Sequence, residues 1–189
     1  MSRSGALAQR LPYLFLVALA VGVDQFTKFL IQSYLGLHES RPVIDGVLSL
    51  SHVRNRGAAF GLLSDADIPH QSVLFTLVGV AVFVGVVIYT LRIPATQRLP
   101  QASLALVIGG AVGNLIDRVR LGYVVDFVHV YWKQYQWWDF NVADACISVG
   151  IVLLVLDSLR SGEAEPAPRD SPGSERGINE ATSLLGRGE

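Results

Sequence analysis

Between Gln71 and Leu91 the chain carries no charged side chain at all. A bilayer core is crossed by about 20 mostly apolar residues of helix. No water is available there to satisfy backbone N–H and C=O groups, so a continuous apolar run of this length has to close its hydrogen bonds within itself, as an α-helix. Three further stretches meet the same test: Leu11 to about Tyr34, Gln101 to Ile116, and Phe140 to Leu159. The expectation is an all-α membrane protein with four transmembrane helices.

Composition agrees. Of 189 residues, 51% are hydrophobic, and the mean hydropathy is +0.42, outside the range of ordinary soluble domains. Fifteen basic and sixteen acidic residues nearly cancel, which leaves no polybasic signature for nucleic acid. One cysteine, Cys146, excludes an intrachain disulfide and a Cys-clustered metal site. It reads as a small buried hydrophobe rather than a nucleophile, since no histidine is near it in sequence.

The first span has a rival reading. Arg3 and Arg10 followed by an apolar stretch ending Ala18-Leu19-Ala20 resemble a cleavable secretory signal. Against it, apolar character continues through Phe26, Phe29, Leu30 and Ile31. Asp24 and Lys28 are also spaced i,i+4, so they share a helical face and can neutralise each other.

Arg92 and Arg98 lie in the short link between the second and third spans, and Arg3, Arg10 and Arg160 lie near the two ends. The positive-inside rule then puts both termini and that link in the cytoplasm, although Arg41, Arg54, Arg56, Arg118, Arg120 and Lys133 fall on the outer side. That side also carries Tyr131, Trp132, Tyr135, Trp137 and Trp138, residues enriched at membrane–water interfaces. In the first outer loop Val43-Ile44-Asp45-Gly46 offers a turn. From Val47 to Val53, Leu48 and Leu50 alternate with Ser49 and Ser51, the period of a half-buried strand. A small extracytoplasmic β-sheet is expected. Residues 1–160 form the membrane domain; residues 161–189, rich in Gly, Pro, Ser, Glu and Arg, read as a disordered cytoplasmic tail.

Ionisable residues at the membrane are costly and point to function. Asp126 in GYVVDFV and Asp144 in FNVADA bracket an aromatic segment between the third and fourth spans. Two carboxyls brought together share a proton: one stays protonated while the other, anionic, activates water, as in an aspartic protease. Either could instead pair with Arg118, Arg120 or Lys133. Asn141, Asp144 and Ser148 share a face of the fourth span; Asn114, Asp117 and Arg118 share one on the third, as interfacial charges or as a polar network around a substrate. Ala105, Gly109 and Gly113 form a small-residue stripe suited to close helix packing. His38, His52, His70 and His129 lie in outer or interfacial segments, outside any serine, cysteine or HExxH arrangement, and read as surface residues.

The segments VDQFTK, VRNRGAAFG, GGAVGNLIDRVRLGYVVDFV and FNVADACIS resemble, in this order, the four sequence blocks of the bacterial signal peptidase II (lipoprotein signal peptidase) family, over roughly residues 11 to 160. The resemblance implies an intramembrane aspartic endopeptidase in the bacterial cytoplasmic membrane, its active site toward the extracytoplasmic face. Such an enzyme removes the signal peptide of a diacylglyceryl-modified prolipoprotein by cutting before the lipidated cysteine. By the same resemblance the catalytic dyad falls on Asp126 and Asp144, with site support from Asp24, Lys28, Asn55, Asn114, Arg118 and Asn141. Gly57 and Phe60 match a lid-like segment of the family. Cyclic peptide inhibitors such as globomycin, and membrane lipids, are the implied partners. No metal or organic cofactor is implied.

Two other classes compete. A proton- or ion-translocating protein would use Asp24, Asp126 and Asp144 as a relay spread across the bilayer depth. A noncatalytic bundle would pack through the Ala105/Gly109/Gly113 stripe and tolerate loss of both carboxylates. A lipid transferase lacks a DxxD-type metal site here.

Overall fold

The structure, a computed structural model, describes residues 3–57, 71–132, 135–136 and 138–162. Phe60, His70, Lys133, Trp137 and the tail from 163 onward lie outside the described residues. The element order is α1 (Arg3–Tyr34), β1 (Ser40–Ile44), β2 (Leu48–Asn55), α2 (Gln71–Arg92), α3 (Arg98–Leu121), β3 (Val124–Trp132), β4 (Tyr135–Gln136) and α4 (Val142–Gly162). The chain divides into two compact units. Met1–Asp157 holds the helices and the sheet; of Ser158–Glu189 only the last turn of α4 is described.

All four helices are long and apolar enough to cross a membrane. Their surfaces are those of lipid-facing helices: Phe15, Phe26 and Phe29 on α1 and Leu74 and Leu77 on α2 are more than half exposed. Apolar patches of this extent are not sustained in water. The molecule is a multi-pass membrane protein.

The helix α3 is the central one, and its glycines explain how. A Cβ on Gly109 would sit 2.7 Å from Ala20 Cβ of α1, and one on Gly113 would sit 2.5 Å from Asp24 Oδ2. Gly110, one residue round the helix, faces α4 instead: its Cβ would lie 2.3 Å from the Ala143 carbonyl. Gly150 of α4 returns the contact, against Ser103 and Val107. Small residues thus let backbones approach where no hydrophobic drive separates helix from lipid. The expected stripe packs on α1, and a second small face, which the four-residue spacing did not reveal, packs on α4.

At one end of the bundle the carbonyls that terminate α2 are capped by side chains of other helices. Arg10 donates to the carbonyls of Thr90, Leu91 and Ile93, and the buried Gln101 amide donates to Thr90 and Ile93. At the other end α3 stops at Gly122, whose φ of 78° is the left-handed conformation that glycine adopts without penalty; its N–H bonds the Arg118 carbonyl. The chain then enters the sheet.

The sheet is an antiparallel array in the order β1-β2-β3, with β4 pairing only the last two residues of β3. The strand expected over Val47–Val53 is present as β2, with Leu50 packed against the apolar cluster of α1 and the sheet, and its serine side is covered as well. Ser49, Ser51 and His52 are buried, while Leu48 and Leu50 are half-buried. Ser51 donates to Asp139 while His52 meets the end of α1, so consecutive side chains are buried against different elements. His52 is therefore not a surface residue: it is 5% exposed, with Nδ1 3.0 Å from the Leu35 carbonyl. Ile31, Leu35, Val125 and Phe127 form the apolar cluster between α1 and the sheet.

Candidate active site

Where α1, α3, β3 and α4 meet at the sheet end, a buried polar network replaces the apolar core. It begins with Lys28, which is 1% exposed. An ammonium has three donors, and this one meets three acceptors: Asp24 Oδ2 at 2.9 Å, Asp117 Oδ2 at 2.9 Å and Asn114 Oδ1 at 3.0 Å. The i,i+4 pair read from sequence is formed, and it is tied to α3 as well. Asp24 Oδ1 also accepts the Ala143 amide of α4 at 2.9 Å. Asp24 and Lys28 thus fasten three helices together.

Lys28 has a second consequence. By occupying Asn114 Oδ1 it fixes which way that side-chain amide points, so Asn114 Nδ2 is turned to Asp144 Oδ1 at 2.8 Å. Asp144 occupies the first turn of α4, and Asn141 precedes that helix. The two form a reciprocal cap: the Asp144 amide donates to Asn141 Oδ1 at 3.0 Å, and the Asn141 amide donates to Asp144 Oδ2 at 3.2 Å. Asn141 is fully buried. Ser148, on the same face further along, is exposed.

Asp126 comes from β3 and is 2% exposed. Its Oδ1 accepts from Asn141 Nδ2 at 2.6 Å and its Oδ2 from Asn55 Nδ2 at 3.0 Å. Asn55 is itself oriented by the Gly57 amide, which donates to its Oδ1 at 2.9 Å. Gly57 has a φ of +126°, and a Cβ there would sit 2.2 Å from the Phe75 ring, so only glycine fits both the turn and the packing. Burial, followed by the negative charge of Asp144, pushes the Asp126 carboxyl up to about 7.

The structure brings together Asp24, Lys28, Asn55, Asn114, Asp126, Asn141 and Asp144 in one connected hydrogen-bond network, with Gly57 behind Asn55. Arg118 is half-buried at the edge, its Nε without a hydrogen-bond partner. With Ser72, Val73, Thr76, Leu77 and Gly122 it lines a mainly apolar cavity of about 410 Å³ between α2 and α3. Arg118, Asp126 and Asp144 are not joined in any ion pair. Asp117, left open by its sequence position, is 3% exposed and belongs to the network through Lys28. Gln25 was missed altogether. Its Nε2 donates to Asp117 Oδ1, the Gly113 carbonyl and Asp24 Oδ2, and an amide beside Asp24 within an apolar span was the available signal. Cys146 is a partly exposed free thiol. Among the described residues no group of three or more His, Cys, Asp or Glu side chains is placed to hold a metal ion.

Fold and site together define a multi-pass membrane protein with a carboxylate-rich polar centre sunk into one end of its helices. Residues 16–160 match the family described as Signal peptidase (SPase) II. The chain is 51% identical over 147 residues to the lipoprotein signal peptidase of Geobacter sulfurreducens, covering 77% of this chain and 89% of that one. It is 44% identical over 144 residues to that of Geobacillus thermodenitrificans, covering 76% and 87%. Among solved structures it resembles a bacterial membrane enzyme determined by the in meso method at 2.3 Å resolution, with a TM-score of 0.73, 27% identity and coverage of 85% and 94%. The chain belongs to the signal peptidase II family and is a membrane-embedded protease.

Proposed function

We propose that this chain removes the signal peptide from diacylglyceryl-modified prolipoproteins, cutting before the lipidated cysteine with Asp126 and Asp144 as its catalytic pair. The observation that carries the reading is a single residue: Asn141 donates from its side chain to Asp126 and from its backbone to Asp144. Both carboxylates are thus held around one buried residue, through its side-chain and its backbone N–H groups. Four carboxylates, Asp24, Asp117, Asp126 and Asp144, stand in or beside the network with two cations, Lys28 and Arg118. An excess of buried negative charge favours retaining one proton.

In this reading the pair works with one proton between them, and its titration belongs to both members. Asp126, raised to about 7, is suited to carry that proton at neutral pH. The anionic partner takes a proton from water, whose oxygen attacks the scissile carbonyl carbon. The protonated carboxyl gives its proton to the carbonyl oxygen. The tetrahedral diol then collapses: one hydroxyl returns its proton to the carboxylate that had given it as the C=O re-forms. The C–N bond breaks, and the leaving amine takes up from the other carboxyl the proton gained from water. Neither carboxyl is consumed. Arg118 supports the substrate backbone from the rim of the α2–α3 cavity, whose apolar wall suits an acyl chain. Cyclic peptides such as globomycin would compete by occupying the pair.

The loop arginines Arg92 and Arg98, together with Arg10, stand at the end of the bundle opposite the network. By the positive-inside rule the site then faces the extracytoplasmic side of the bacterial cytoplasmic membrane. A proton relay fits less well, because Asp24, Asp126 and Asp144 are linked through Ala143, Asn141 and the α4 N-terminus rather than strung along the spans.

The test uses the purified chain in a detergent–lipid mixture with one prolipoprotein, prepared with and without the diacylglyceryl group. The proposal expects cleavage of the modified form alone, and mass spectrometry of the product showing the lipidated cysteine at its new N-terminus. Equal cleavage of both forms, or a cut elsewhere, contradicts it.

A further inference from the structure

We infer that Asp117 is a positioning residue for Asp126, acting through the backbone amide of Val125; this rests on the carboxylate-pair reading above and adds a residue to it. Asp117 lies near the end of α3, and Val125 immediately precedes Asp126 in β3. The Val125 amide donates to Asp117 Oδ2 at 3.1 Å, and Val125 is fully buried. A buried amide robbed of its acceptor has no water to turn to.

The arrangement of β3 shows why this bond matters. One edge of the strand is held by β2, with Val53 opposite Asp126 and Arg54 opposite Val125. On the other side the Val125 amide goes to Asp117, and the Phe127 amide goes to the Phe140 carbonyl at 3.0 Å. Asp126 is therefore carried between two anchored peptide groups, one tied to α3 and one to the segment leading into α4. Loss of either lets the strand shift at the residue that bears the carboxylate.

Asp117 is itself fixed from α1. Its Oδ1 accepts from Gln25 Nε2 at 2.9 Å and its Oδ2 from Lys28 Nζ at 2.9 Å. Lys28 also orients Asn114, the donor to Asp144. One ammonium thus reaches Asp144 through Asn114 and Asp126 through Asp117 and the Val125 amide. An asparagine at 117 retains one acceptor oxygen for the Val125 amide but presents an amide N–H₂ where the second oxygen stood.

The experiment measures kcat and KM of the full chain on the diacylglyceryl-modified prolipoprotein for the wild type, Asp117→Ala, Asp117→Asn and Asp126→Asn, each checked for folding. Asp117→Ala is expected to lower kcat about 100-fold, the order expected for a displacement of about 1 Å at a reacting group, with KM within about threefold of the wild type. Asp117→Asn is expected to recover about tenfold of that loss. If Asp117→Ala does not fold, Gln25→Ala serves in its place, with kcat down several-fold and KM unchanged. A folded Asp117→Ala, or Gln25→Ala together with Asp117→Asn, within twofold of wild-type kcat while Asp126→Asn is inactive would overturn the inference. So would equal losses in kcat and substrate affinity without recovery in Asp117→Asn, which is the pattern of a general packing role. Cleavage by Asp126→Asn would overturn the carboxylate-pair reading beneath it.

Discussion

Asn141 and Asp144 cap each other at the start of α4, amide to side chain in both directions, at 3.0 and 3.2 Å. The helix-starting device and the site are therefore the same residues. Asn141 adds the 2.6 Å bond to Asp126, and a serine separates the two roles. Asn141→Ser keeps a capping oxygen, so its expected stability loss of about 1–3 kcal/mol comes from the buried Asp126 oxygen left without its donor, while kcat falls on the order of 100-fold. Asn141→Ala is expected to lose about 1 kcal/mol beyond that, with the cap. Thermal unfolding in detergent and the cleavage assay read the two effects apart; full activity in Asn141→Ser would show that its amide is not used.

Close helix approach predicts an ordering among glycines. Gly110→Ala drives a Cβ to 2.3 Å from a backbone carbonyl of α4, and Gly113→Ala drives one to 2.5 Å from Asp24 Oδ2. Each is expected to cost about 1–3 kcal/mol, and Gly113→Ala also to lower activity by displacing the carboxylate that holds the Ala143 amide. Gly79→Ala on α2, with nothing within 4 Å, is expected to be neutral or slightly stabilising. Unfolding curves for the three variants check the order.

The buried ammonium of Lys28 faces two carboxylates. Lys28→Met leaves both uncompensated and is expected to destabilise by about 3–5 kcal/mol. Asp24→Asn on that background is expected to restore part of the loss, because it removes one of the stranded charges. A double-mutant cycle in stability measures the coupling, and simple additivity would show the pair to be independent.

Much of this was legible in the chain. The four spans follow from length and polarity, because hydrocarbon permits few other structures. Asp126 and Asp144 stand out because a carboxylate at such a place is costly unless it is used. What periodicity could not supply was that both sides of β2 are covered. The elements that cover Ser51 and His52 supply Asp139 and the Leu35 carbonyl, and such tertiary partners leave no mark on the alternation. Asp117 was undecidable for a similar reason: its partners Gln25, Lys28 and Val125 come from other elements, and adjacency to Arg118 in sequence says nothing of them.

The Asp126 carboxyl, raised to about 7, has an unfolded value of about 3.9. The folded chain therefore holds this proton more tightly than the unfolded chain does. The stability contributed by the neutral carboxyl is complete below about pH 4 and is lost as pH rises through about 7. Asparagine has no charge to bury. The Tm of Asp126→Asn relative to the wild type is thus expected to be higher at pH 8 than at pH 5. A pH-independent difference would show that Asp126 does not titrate in this range.

The central claim is tested most directly by following the gel shift of a diacylglyceryl-modified prolipoprotein with the wild type, Asp126→Asn and Asp144→Asn, all verified as equally folded. Cleavage by the wild type and by neither variant is the predicted result; cleavage by either variant at the wild-type rate would contradict a catalytic pair.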